Sequence, residues 1–155
     1  HTLRLIRELL SAQPQKRGTN LSLALQTVNR LLKRRAIVFL ISDFLLPGAT
    51  YAVDLALLAR RHDVVAVLLG DPLEKNWPDV GLLAVQDAET GTVNWIDTTP
   101  VSWREGFQRQ AQSFHEQRNA VLVGAGVDRI EVPSDGDYVQ ALVQFFRQRA
   151  RRLGR

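Results

Sequence analysis

The chain has 155 residues, 45% of them hydrophobic, which suffices for one domain with a buried core. It contains no cysteine, which excludes disulfides, thiolate nucleophiles and cysteine metal sites and fits a cytoplasmic location. The formal charge is +4, no signal peptide is visible, and no apolar run reaches the roughly 20 residues of a membrane span.

Leu3, Leu5, Ile6, Leu9 and Leu10 predict a short helix, ended by the polar stretch from Ser11 to Arg17 that holds Pro14. Gly18-Thr19-Asn20 supplies turn and cap chemistry for a second helix, with Leu21, Ala24, Leu25, Val28, Leu31 and Leu32 at helical spacing. Lys33, Arg34 and Arg35 close it against the negative end of the helix dipole. Ala36 to Ser42 is an apolar run without polar alternation, the pattern of a parallel strand covered on both faces, and it breaks off at Asp43. A third helix is expected from about Tyr51 to Arg61, and a second buried strand over Asp63–Leu69.

After Gly70-Asp71-Pro72 the pattern changes. Leu82–Gln86 and Thr92–Ile96 have strand composition and flank a turn over residues 87–91, so they predict a β-hairpin. Pro100 starts a long helix with Trp103, Phe107, Ala111, Phe114, Arg118 and Val121 or Leu122 on one face, stopped by Gly124 and Gly126. Val127–Val132 is the last strand. Ser134 and Asp137 resemble a capping box for a final helix expected to bury Tyr138, Val139, Leu142, Phe145 and Phe146.

In parallel α/β sheets, ligands gather outside the carboxyl ends of the strands, where Asp43 falls. A carboxylate from Asp43 and a hydroxyl from Thr19 are hard donors suited to Mg²⁺ or Mn²⁺, but two donors are too few for a cage. Asp71, also at a strand end, reads as a turn carboxylate before Pro72 that could line the same rim.

The stretches Val38-Phe39-Leu40-Ile41-Ser42-Asp43-Phe44-Leu45, Ala59-Arg60-Arg61-His62-Asp63-Val64-Val65-Ala66 and Asp71-Pro72-Leu73-Glu74 resemble the later part of a bacterial family, domain of unknown function fifty-eight. Pro78-Asp79-Val80-Gly81, Asp87-Ala88-Glu89-Thr90-Gly91, Asp97-Thr98 and Ala125-Gly126-Val127-Asp128 continue the resemblance. It implies a von Willebrand factor A-like, Rossmann-type α/β fold with a metal-ion-dependent adhesion site. Such a site joins an Asp-x-Ser-x-Ser turn to a later Thr and a later Asp, and Thr19 and Asp43 stand where the later two belong. No Asp-x-Ser-x-Ser occurs here.

With no methionine and a start at His1, residues 1–155 are expected to form the C-terminal portion of one such domain, cut from a longer protein, with its N-terminal strands missing. The resemblance further implies a non-enzymatic protein-interaction module, a MoxR-type AAA ATPase as partner, and a membrane tether upstream in some members. The strand from Ala36 to Ser42 then becomes a bare edge, and the chain is expected to self-associate through it.

A rival reading is a metal-dependent hydrolase using Asp43 on the sheet rim. Other enzymatic signals are poor. Ser42, Asp43 and His62 are the residue types of a hydrolase triad, but no Gly-x-Ser-x-Gly elbow holds Ser42. His62 and His115 read as surface groups. Gly124-Ala125-Gly126 precedes a strand, so it is not a dinucleotide fingerprint. Arg147, Arg149, Arg151, Arg152 and Arg155 read as dipole compensation and a solvated tail; without interleaved aromatics they do not favour nucleic acid.

Overall fold

Three parallel strands in the order β1-β2-β5 form the centre of the molecule: β1 (Ile37–Ser42), β2 (Asp63–Gly70) and β5 (Asp128–Pro133). The computed structural model describes residues 2–12, 18–87 and 90–154, so Pro14, the turn residues Ala88 and Glu89, and Arg155 lie outside the described residues. Helices α1 (Thr2–Ser11) and α2 (Leu21–Leu31) precede β1, and α3 (Ala52–Arg61) connects β1 to β2. The hairpin β3 (Leu82–Gln86) and β4 (Val93–Asp97) and the long α4 (Val101–Gly124) lie between β2 and β5; α5 (Tyr138–Leu153) ends the chain. This is the expected parallel sheet flanked by helices, with an antiparallel hairpin beside it.

The central strand β2 is buried from Val64 to Leu68, which explains its unbroken apolar sequence. Its alternate side chains face two cores. Val64, Ala66 and Leu68 join Val38, Leu25 of α2, Leu55 and Leu58 of α3 and Leu122 of α4, while Val65 and Val67 meet Ile130 and Phe145 of α5. Among the described residues strand β1 pairs with β2 alone. Val38 points into the first core, whereas Ile37 is 65% and Ile41 66% exposed.

Local signals set several element ends. Asn20 caps α2, its side chain accepting from the Leu23 amide at 2.9 Å. At the end of α4, Gly126 takes φ +69°, and the amides of Gly126 and Val127 donate to the carbonyls of Val123 and Leu122, both at 3.0 Å. That is a Schellman closure, and its left-handed residue favours glycine.

Other expectations are corrected. Asp137 is itself the N-cap of α5, accepting from the amides of Val139 and Gln140 at 2.9 and 3.1 Å, so it does not serve as the third residue of a Ser134 capping box. Helix α2 stops at Leu31, and the cation on its last carbonyls is Arg61 from α3, which donates to the Asn29 carbonyl at 2.9 Å. Helix α5 buries Phe145 and part of Leu142, but leaves Tyr138, Val139 and Phe146 largely exposed. Three strands offer it a narrow platform, and Phe146 packs on Phe145 and on Phe39 of the edge strand, ring centroids 5.3 and 6.3 Å away.

His62 is not a surface group. It is 4% exposed, and its Nδ1 accepts from the Ala36 amide at 3.3 Å, because the turn from α3 into β2 tucks the ring beneath the start of β1. The C-terminal arginines are not all solvated either. Arg149 pairs with Asp63 and, at 3.1 Å, with Asp128, and Arg152 reaches Asp128 at 2.9 Å. These contacts fasten the end of α5 to the starting ends of β2 and β5.

Candidate functional site

Asp43 follows β1 at its carboxyl end, in a turn built from side chains. Its Oδ1 accepts from the Leu45 amide at 3.1 Å and from the Ser42 hydroxyl at 3.3 Å, while the Ser42 oxygen accepts from the Phe44 amide at 3.0 Å. Between them Phe44 has φ +55°, a conformation that costs a bulky residue about 1–3 kcal/mol. Complete burial of the Phe44 ring against Tyr51, centroids 5.9 Å apart, offsets that strain. The result is a hydrogen-bonded turn that presents an exposed carboxylate, whose Oδ2 makes no hydrogen bond among the described residues.

Asp43 lines a depression together with Asp71, Glu74, Ser134 and Tyr138. Asp71 does take the turn role read from the sequence, accepting from the Leu73 amide at 2.8 Å, and it also stands on this rim. Thr19 lines a different depression, with Asn20, Ser22, Gln26, Leu46 and Thr50. The structure therefore does not bring Thr19 and Asp43 into one cavity, although the loop from Asp43 to Leu46 borders both. Among the described residues no group of three or more His, Asp or Glu side chains is placed to hold a metal ion.

Sequence reasoning missed the polar cluster beneath this turn. Arg118 of α4 is 7% exposed, and its Nη1 donates to the Asp43 carbonyl at 3.4 Å. Its Nε, His115 Nδ1, Asn119 Oδ1 and the Tyr51 hydroxyl are buried without hydrogen-bond partners among the described residues. Burial disfavours ionisation of each titratable member. The Tyr51 pKa is raised, with Arg118 opposing, and the Arg118 pKa is lowered, with Glu131 opposing most strongly. The His115 pKa is lowered by burial first and then by the charges of Arg118 and Lys75. His115 is half-buried, with its Nδ1 enclosed. Helical spacing did place Arg118 on the inward face of α4, which is the signal that could have found it.

A model of the family described as "Protein of unknown function DUF58" matches residues 1–118. The chain belongs to this family. The DUF58 match includes the Asp43 turn and ends at Arg118. Two uncharacterized proteins, one of Mycobacterium bovis and one of Mycobacterium tuberculosis, are each 33% identical to it over 152 residues, 97% of this chain and 47% of theirs. An uncharacterized protein of Mycobacterium avium is 30% identical over 132 residues, 85% of this chain and 77% of its own. The chain thus spans about half the length of the first two relatives. No solved structure matches it. Among the described residues no helix is long and apolar enough to cross a membrane.

Proposed function

We propose that this DUF58 chain is the C-terminal portion of a von Willebrand A-like interaction module that works with a MoxR-type AAA ATPase in assembling or remodelling protein complexes. The observation that carries the reading is the Asp43 turn. A side-chain-capped turn at the carboxyl end of a parallel strand holds an exposed carboxylate with one oxygen free of hydrogen bonds among the described residues. Asp43 fits one hard ligand of an Mg²⁺ or Mn²⁺ ion, while the second donor implied by the family resemblance, Thr19, lines a separate depression across the loop to Leu46. When bound, the ion offers a coordination position that a partner carboxylate can fill. The remaining donors must come from water or from protein beyond these residues.

The open edge of β1 is where a further strand, carrying such donors, can pair. In the isolated chain the same edge favours a second copy of itself. The test is capture of the cognate ATPase by the full-length parent, with and without chelator, comparing the native protein with Asp43→Asn and Thr19→Ala. Capture should fall with chelator and with each substitution, and capture indifferent to all three places the functional surface elsewhere.

Asp71 and Glu74 share this rim with Asp43 without forming a metal-holding group by themselves, so a second reading, a metal-dependent hydrolase using Asp43, needs donors from beyond these residues. Metal-dependent turnover of a phosphoester or ester by the parent, abolished in Asp43→Asn, would select it over the interaction module.

A further inference from the structure

Two adjoining cavities of about 270 and 300 Å³ open beside the carboxyl ends of β2 and β5 and share Lys75, Asn76, His115, Arg118 and Glu131 in their walls. Arg118 is the unusual member. A guanidinium this deeply buried is normally paired with a carboxylate, because desolvating an unpaired charge is costly. Among the described residues Arg118 makes no ion pair, its single hydrogen bond goes to the Asp43 carbonyl, and its Nε has no partner. Glu131 stands in the same wall, but its ion pair is with Arg129 at 3.8 Å.

The shape and charge of the space narrow the ligand. Cavities of this size lie at the small end of ligand sites, which favours a small ligand over a drug-sized one. In the first cavity Arg118 and Lys75 are balanced by Asp71 and Glu131, and the second adds Glu116, so a single anionic group on the unpaired Arg118 is accommodated and a dianion is disfavoured. The first cavity also has an apolar side formed by Leu68, Leu69 and Val132. A guanidinium fork matches a carboxylate in two parallel hydrogen bonds. We propose that this cavity is a binding site for a small monocarboxylate, with its carboxylate on Arg118 and Lys75 and its short hydrocarbon part against Leu69 and Val132.

The site does not depend on the Asp43 reading, and its test requires neither a metal nor the ATPase. The 155-residue chain is titrated with propionate while the Arg118 Nε–H resonance is followed by ¹⁵N NMR, with inorganic phosphate and propylamine titrated in parallel. Propionate should give a saturable shift, with weaker effects from phosphate and none from propylamine. Glu131→Gln should tighten propionate binding about fivefold and Lys75→Gln weaken it about fivefold, the size of one charged contact in a partly open site. Both side chains are exposed, so these variants remain informative if Arg118→Gln fails to fold. No saturable shift at about 20 mM propionate, a millimolar-scale search being apt for so small a ligand, overturns the proposal. So does tighter binding of phosphate, or binding unchanged in both exposed-residue variants.

Discussion

Arg118 on α4 donates from Nη1 to the carbonyl of Asp43 at 3.4 Å, tying the inward face of the long helix to the turn that ends β1. The two residues are 75 positions apart. Their contact places the candidate ligand Asp43 directly above the polar cluster of Arg118, His115 and Tyr51. The carboxylate and the carbonyl of Asp43 thus have separate duties, since the first caps its own turn and faces outward while the second anchors α4.

Asp43 is both a structural cap and a candidate ligand, so alanine confounds the two roles. Asp43→Ala removes the acceptor for the Leu45 amide beside a strained Phe44 and should cost about 1 kcal/mol. Asp43→Asn keeps an acceptor oxygen there and should unfold within about 0.5 kcal/mol of the native chain. Urea denaturation of the two variants measures the difference, and equal stabilities would show that the Asx turn does not hold Phe44.

The edge of β1 should drive self-association of this chain. Ile37, Phe39 and Ile41 are exposed, and no charge or proline interrupts the strand. Light scattering should report a dimer or larger species at micromolar concentration, reduced to monomer by Ile37→Lys combined with Ile41→Lys. Substituting Val38 is uninformative by comparison, because that side chain is buried in the core. A monodisperse native monomer would refute the edge contact.

Folding stability should fall on acidification through the histidine range. Burial, then Arg118 and Lys75, hold the His115 pKa below its ordinary 6.5, so the unfolded chain takes up this proton more readily than the folded one. The contribution of neutral His115 is therefore present above pH 6.5 and lost as pH drops through the lowered folded value. Melting temperatures across this range should show a shallower acid limb in His115→Gln, and an unchanged limb would assign the effect to other groups.

Gly48 lies where the loop after β1 packs tightly on α4. A Cβ built there would lie 2.7 Å from Cγ2 of Val121, a stiff branched side chain. Gly48→Ala should destabilise the fold by about 1–3 kcal/mol through overpacking, and Val121→Ala in the same chain should recover part of the loss. Chemical denaturation of the single and double variants gives the coupling directly.

Much of the frame was legible before any coordinates. The apolar runs of β1 and β2 mark strands of a parallel sheet, fully so for β2, which is buried on both faces, whereas β5 alternates polar and apolar residues. Asn20 and Gly126 mark helix ends through short-range hydrogen bonding, and Asp43 at a strand terminus is visible as a candidate ligand from its position alone. Helical spacing even put Arg118 on the buried side of α4. Which group that face meets was not legible, since an inward arginine reads the same whether it packs on a side chain, a carbonyl or a cavity. The same holds for His62 under Ala36, Arg61 on the end of α2, and Arg149 against Asp63, 86 residues away. Each of these contacts joins two elements whose own local patterns are satisfied without it, so the chain carries no nearby trace of the pairing. Packing three strands between α2, α3 and α4 on one side and α5 on the other is what brings the partners together, and it also separates the depressions of Thr19 and Asp43.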